Sequence, residues 1–303
     1  MNLESLKNKQ KKAGEFWNKY SSSTANKTRD IAPAPKAAKA PDGVPDCVAV
    51  SENGGKATVS NSGIALAVPY GPAAAEDNGI AKGSTVHVSG QNCIAMSSAA
   101  DGSISALGSD ALASVISTTW KKGMNTQVAK INVTGDNSRI FSNRTSEIYA
   151  INNATIACTT ESSIHTGQNS VVAMLPNSIA AKDDFDPIVL GRNCIGVISF
   201  SQERIDTDLH KAAESKVLKV GADSTIISNG PINIESNGYC MAYGNQPLAC
   251  GEMGSVITLC RTEHGVPSVV KTFRIDGINY KPDVQYTLNT DGIVVAYSGE
   301  IKP

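Results

Sequence analysis

Small or hydroxyl-bearing residues stand eight apart along the middle of the chain, at Ser138, Ser146, Ala154, Ser162, Ser170 and Ser178. An aliphatic or small residue follows two positions after each, at Ile140, Ile148, Ile156, Ile164, Val172 and Ala180. Positions i and i+2 of an extended strand share one face, so the pattern predicts a run of short strands that each bury the same pair of positions. Residues 136–181 show no 3.6-residue stripe, which excludes an amphipathic helix. A period this short and strict marks a β-solenoid, whose repeats bury their apolar faces only against one another. Asn137, Asn153 and Asn169 directly precede the small residue, and Asn177 and Asn193 repeat their spacing in the other phase. Asn tolerates left-handed backbone angles and bonds to its own backbone, so it suits corners. Stacked Asn side chains can also form ladders along the axis. The expectation is a flattened β-roll of about 16 residues per coil, built of two eight-residue arcs.

The same step extends in both directions. Ala57/Val59 and Ala65/Ala67 carry it near the start, then Val86, Ile94, Ile104 and Leu112. Ile226 and Ile234, with Ser224, Ile232, Cys240 and Leu248, carry it to about residue 250. Segments 69–82, 118–127 and the stretch around Asp183, Asp184 and Asp186 interrupt it as insertions. The solenoid is therefore expected over 47–250. Beyond it, 255–261 and 266–274 read as strands about a Glu263-His264-Gly265 turn. Asp276-Gly277 and Asp291-Gly292 are further turns, with strands at 284–288 and 293–297. This predicts an antiparallel β cap over 251–303, one meander closing the open end of the solenoid.

The first residues differ. Leu3, Leu6, Phe16, Trp17 and Tyr20 lie among five lysines, which predicts a basic amphipathic helix over 1–20. Residues 21–46, rich in Ser, Ala and Pro, read as an extended linker. This arm is net basic, with nine Lys and Arg against five Asp and Glu, and the remaining chain is net acidic.

Composition narrows the function. Only five Phe and two Trp occur in 303 residues, fewer than a globular enzyme core would carry and enough for a solenoid. A net charge of −1 argues against a general nucleic-acid binder. The seven cysteines make no C-x-x-C pair, and Cys93 and Cys194 stand after Asn where other units have Ser, so they read as small buried rung residues. Free buried thiols fit a reducing compartment. With no apolar run long enough to cross a membrane and no apolar signal core, no membrane is expected as a partner. A cytoplasmic or particle-associated location is expected.

The segments GQNCIAM at 90–96, GDNSRIF at 135–141, GQNSVVAM at 167–174 and GRNCIGVI at 191–198 resemble the repeats of β-roll heads in trimeric autotransporter adhesins. The ending at 248–297 resembles that of a family of uncharacterised bacterial and phage β-roll proteins. The likeness rests on Gly251, Gly254, Asp276, Gly277, Lys281, Pro282, Asp283, Tyr286 and Leu288, in a V-D-G-x-x-x-K-P-D type pattern followed by a Tyr-x-Leu strand. Ser255 replaces the aromatic usual after the second Gly. The resemblance implies a roll and cap built as one unit and implies no catalytic residues.

Candidate chemistry is sparse. Four His occur without metal-site spacing, and neither a nucleophile elbow nor a phosphate-binding loop is present. His165 follows the inward Ile164 and should point outward. Asp183, Asp184 and Asp186 are the strongest carboxylate cluster, a weak metal candidate that could also serve paired-acid glycan chemistry. Trp120, beside Lys121-Lys122, could stack on a ligand. Phe16, Trp17 and Tyr20 could dock in a partner's groove, or the helix could pack over the first coil. No cofactor is expected. The leading expectation is a non-enzymatic rigid binding or structural module of a bacterium, phage or mobile element, held to a protein partner by its N-terminal arm. The alternative is an effector or polysaccharide-acting enzyme using the insertion loops. A glycan ligand and a homotrimer remain open.

Overall fold

The computed structural model describes residues 38–39, 48–52, 56–60, 63–68, 85–97, 103–116, 129–143, 145–176, 187–201, 205, 209, 212–213 and 217–298. Helix 1–20 and nearly all of the linker 21–46 lie outside these; the exception, Ala38–Lys39, is a strand that pairs with Ala57–Thr58, so the strands begin before residue 47. The chain divides into two compact units, residues 1–141 and 142–303.

The first unit contains β1 (Ala38–Lys39), β2 (Val48–Glu52), β3 (Lys56–Ser60), β4 (Ile64–Val68), β5 (Thr85–Ser89), β6 (Ile94–Ser97), β7 (Ser103–Ala106), β8 (Leu112–Val115) and β9 (Ala129–Val133). The unit boundary falls within β10 (Arg139–Ser142). Odd strands pair in parallel from β1 to β9, and even strands from β2 to β8. Successive strands thus alternate between two sheets, as a solenoid requires. Ala57, Val86, Ile104 and Ile131 form a buried column on one sheet. Ala49, Ala65, Ala95 and Ala113 form the buried column of the other.

The second unit continues with β11 (Ser146–Ala150), β12 (Thr155–Cys158), β13 (Ser163–Thr166), β14 (Val171–Met174), β15 (Ile188–Leu190), β16 (Ile195–Ile198), β17 (Leu218–Val220), β18 (Thr225–Ser228), β19 (Ile232–Ile234), β20 (Tyr239–Gly244) and β21 (Ala249–Gly251). It ends with β22 (Val256–Glu263), β23 (Val266–Arg274), β24 (Gln285–Leu288) and β25 (Val294–Ala296). Odd strands pair in parallel from β11 to β21 and even strands from β12 to β22. Ile148, Ile164, Ile188, Leu218 and Ile232 are register partners and all buried; so are Ile156 and Val172, with Ile226 and Cys240 further along the other sheet. The Ser146 N–H donates to Ser162 Oγ and the Ala154 N–H to Ser170 Oγ, each 16 residues on, which is the expected coil.

In the second unit one kind of corner joins each odd-numbered strand to the next even-numbered one. It occupies 151–154, 167–170, 191–194, 221–224, 235–238 and 252–255, always the same length. Its third residue takes a left-handed angle at Asn153, Asn169, Asn193, Asp223 and Asn237, which Asn and Asp tolerate better than other side chains. That residue's N–H reaches the next coil: Asn169 donates to Arg192 O and Asn193 to Ala222 O, both at 2.9 Å. Gly167, Gly191 and Gly221 stack with backbone against backbone, and a Cβ on Gly191 would lie 2.5 Å from the carbonyl carbon of Gly167. The fourth residue is small, Ala154, Ser170, Cys194, Ser224, Gly238 or Ser255, because what stands there is buried and must fit under the corner. The Cys194 N–H donates to Ser224 Oγ at 2.9 Å, and Cys194 Sγ bonds back to Gly167 O at 3.3 Å. Cys93 and Cys194 are thus buried rung residues, as expected.

In the second unit the opposite corner absorbs the variation in coil length. It is short at 159–162, 229–231 and 245–248, and long at 175–187 and 199–217. The first unit divides in the same way, with the long passages at 69–84 and 116–128.

Several expectations change. Ile94 and Leu112 do not continue the inward column; Cys93, Ala95, Ala111 and Ala113 are buried instead, because the small residues sit one step to either side. Asn193 belongs to the same corner column as Asn169, 24 residues away, with its Nδ2 donating to Asn169 Oδ1 at 2.8 Å. The long corner at 175–187 lengthens that coil and shifts the apparent phase. Coils also run past residue 250, since β22 still pairs in parallel with β20. The ending is not one meander. β23 pairs antiparallel with β22, whereas β24 pairs antiparallel with β21 and β25, so each sheet receives its own hairpin extension. Phe273, Tyr280 and Tyr286 pack together where the chain crosses between them, with ring centroids 4.3 to 5.4 Å apart.

Helical residues also interrupt the run of strands at 205, 209, 212 and 213. Ile205, Leu209, Ala212 and Ala213 are all buried, at the spacing of one helix face. Ser201 O accepts the Ile205 N–H at 3.0 Å. The entry to this excursion is clamped: the Ser201 N–H donates to the buried Glu161 Oε1 at 2.7 Å, and Asn229 holds both the N–H and the carbonyl of Phe200.

Candidate interaction surfaces

The candidates Phe16, Trp17, Tyr20, Trp120, Asp183, Asp184 and Asp186 all lie outside the described residues. Among the described residues no group of three His, Cys, Asp or Glu is placed to hold a metal ion. No helix among them is long and apolar enough to cross a membrane. Cys158, Cys194 and Cys240 face inward: burial pushes Cys158 up to about 12 and raises Cys194 and Cys240 as well. A thiol held in this way is a poor nucleophile, since the thiolate is the reactive form.

The described side chains able to meet a partner stand on the outer faces of the second unit's two sheets. On the odd-numbered sheet, Tyr149, His165, Val189, Lys219, Asn233 and Cys250 follow one another in register. Tyr149 and His165 stack with centroids 4.9 Å apart, so His165 does point outward. Towards β24 this face is covered: Cys250 is buried, and Gln285 Nε2 donates to Ala213 O of the helical excursion at 3.1 Å.

The even-numbered sheet is different. Its outward positions run Thr155, Val171, Ile195, Thr225 and Tyr239 in one rank and Ala157, Ala173, Val197, Ile227 and Met241 in the other. None of these side chains carries a charge. Ile195 is 58% exposed, Val171 46%, Val197 39% and Tyr239 38%. Polar groups border the stripe at the constant corner, where Arg192 pairs with Asp223 at 2.9 Å and Asn193 bonds Asn169. In the first unit the comparable positions Ile64, Leu66, Ile94 and Met96 form a packed cluster in which Ile64 and Leu66 are buried.

A third surface is the turn after β23. Asp276 Oδ1 accepts the N–H groups of Ile278, Asn279 and Tyr280 at 2.8 to 3.1 Å, and Oδ2 accepts Asn279 Nδ2. Backbone bonds from Tyr280 and Ile278 lower its carboxyl to about 2. The loop is fixed by its own backbone and presents Ile278, 82% exposed. Gly277 takes a positive φ here as the Asp-Gly turn requires.

Sequence reasoning did not find the apolar stripe. The signal was present: within the repeats the residue flanking the inward one is polar at Thr155 but aliphatic at Val171 and Ile195. Comparison of the chain with protein-family models, curated proteins and solved structures finds no match in any of the three.

Proposed function

We propose that the protein is a rigid, non-enzymatic binding or structural module: a β-solenoid closed by its C-terminal hairpins and tied to a larger assembly by the arm 1–46. The observation that carries this reading is the regular array of outward side chains on the even-numbered sheet, held in place by corners of one length. Such an array suits recognition of an extended surface more than the enclosure of a small substrate, which needs a concave site. The buried thiols support residence in a reducing compartment or within a particle. The repeat resemblance supports a bacterial or phage origin.

The arm supplies the test. Deleting 1–37, which spares β1 and its pairing with β3, should leave the solenoid folded with an unchanged melting temperature and abolish capture of the assembly partner. Trp17→Ala should reproduce most of that loss, because buried aromatics dominate such anchors. A truncated chain that aggregates and melts earlier would show that the helix covers the first coil, and would sink the docking role. Turnover of a glycan that disappears in Asp183→Asn/Asp184→Asn would overturn the non-enzymatic reading in favour of the insertion-loop enzyme.

A further inference from the structure

The apolar stripe has the composition of an interior and the exposure of a surface. Val171, Ile195, Val197, Ile227, Tyr239 and Met241 stand outward on β14, β16, β18 and β20, and the inner faces of the same strands carry Val172, Ile198, Ile226 and Cys240. Inside the unit such side chains pack sheet against sheet. We propose that a second copy of this chain seats on the stripe, so that two even-numbered sheets pack face to face about a two-fold axis. This goes beyond the module reading above, and it does not depend on the arm.

Three features select that occupant. The outward side chains form a lattice of two ranks repeating once per strand, and the matching lattice of spacing and twist is another copy of the same face. Aligned sheet packing interdigitates such ranks. The face is free of charge, so like meets like without leaving a charge unpaired, and the Arg192–Asp223 pair and the Asn169–Asn193 ladder supply a polar rim. Its size fits an association that is specific and weak. Five strands spaced about 4.8 Å apart, each about 13 Å long, give a face of about 300 Å². A standard stable interface takes about 800 Å² per partner, so the dimer forms and dissociates with concentration. The same patch serving both partners makes the contact isologous, and the assembly closes at two.

Sedimentation equilibrium of the full chain, over a dilution series up to its solubility limit, tests the proposal. The expected result is a monomer–dimer equilibrium. Val171→Lys/Ile195→Lys should weaken dimerisation by about a hundredfold or more, since each copy would bury unpaired charges. Far-UV circular dichroism should be unchanged, because both side chains point outward. Should that variant misfold, Ile195→Thr keeps the β-branched shape and is expected to weaken dimerisation by about tenfold through lost apolar burial. Lys219→Glu on the other sheet should leave the dimer intact, and so should deletion of 1–37, which spares β1. A wild type that is monomeric at every concentration overturns the proposal. So does a trimer, or a dimer that persists with unchanged affinity in folded stripe variants. Loss of self-association on deleting the arm would assign the contact to the arm instead.

Discussion

Inside the second unit, the odd- and even-numbered sheets contribute the same kind of residue: Ile148, Ile164 and Ile188 from one, Ile156, Val172 and Ile226 from the other. Outside, they part. The odd-numbered sheet shows Tyr149, His165 and Lys219 and is covered towards its end, whereas the even-numbered sheet shows Val171, Ile195 and Val197 and is open. The difference separates two demands on one strand. The inner position must fill a narrow space between sheets and so repeats. The outer position is released from that demand, and a run of aliphatic side chains there is unexplained by folding.

The comparison can be broken most directly by deletion of methyl groups. Ile148→Ala or Ile164→Ala should cost about 2–5 kcal/mol each, as buried aliphatic truncations do. Ile195→Ala, measured at dilutions where the chain is monomeric, should cost under about 1 kcal/mol, the span of β-propensity on an exposed face. Equal costs in urea unfolding would mean that the outer face is not a surface at all.

Next in size is the corner. Gly191→Val forces a side chain into the Gly167 backbone, for which we expect a loss of about 1–3 kcal/mol or more. The same substitution at Gly265, which has nothing within 4 Å of its added Cβ, should incur only the penalty of its positive φ. Asn169→Ala should cost about 1–2 kcal/mol for placing an ordinary residue at a left-handed angle, and Asn169→Gly should cost less. If the two substitutions cost the same, the Asn193–Asn169 side-chain bond, not the backbone angle, is what Asn169 contributes.

The smallest effects are pH dependences. Burial raises Cys158 to about 12 in the folded chain from an ordinary value near 9. Its contribution is therefore complete below pH 9 and is lost as the pH climbs from 9 towards 12, because the unfolded chain ionises first. Cys158→Ala should flatten alkaline melting curves across that window. Asp276, lowered to about 2, works in the other direction. Its contribution is present above its ordinary range near 4 and fades as the pH falls towards 2, and Asp276→Asn should remove that acid dependence. A mutant curve parallel to the wild type in either window would show that the group does not titrate as its surroundings suggest.

Much of the fold was legible because the solenoid uses local rules repeatedly. The eight-residue step named Ser138, Ser146, Ala154, Ser162 and Ser170 and their aliphatic partners, and all are buried. Left-handed Asn137, Asn153 and Asn169 followed from the chemistry of the side chain. The corners at 108–111 and 221–224 were missed because Asp110 and Asp223 stand in the Asn position, although Asp tolerates the same angle. Ile94 and Leu112 misled because hydrophobicity was taken as inwardness, while the inward positions beside them hold the smaller Cys93, Ala95, Ala111 and Ala113. The helical residues between 205 and 213 show i, i+4, i+7 and i+8 spacing, overlooked because the strand period resumes at Leu218. The separate attachment of the two terminal hairpins had no local signal, since which sheet a strand joins is decided by partners distant in sequence. The proposed aromatic and acidic sites depended on composition alone, and composition carries no coordinates.

The unequal corners have an evolutionary meaning. In the second unit everything that turns the chain and stacks corner on corner is gathered along one edge, in four residues per turn, while the other edge holds passages as different as 229–231 and 199–217 without altering strand register. A lineage could therefore exchange, lengthen or borrow loops at that margin as freely as a bound volume accepts inserted leaves between stitched pages. New specificity would arise there without renegotiating the fold.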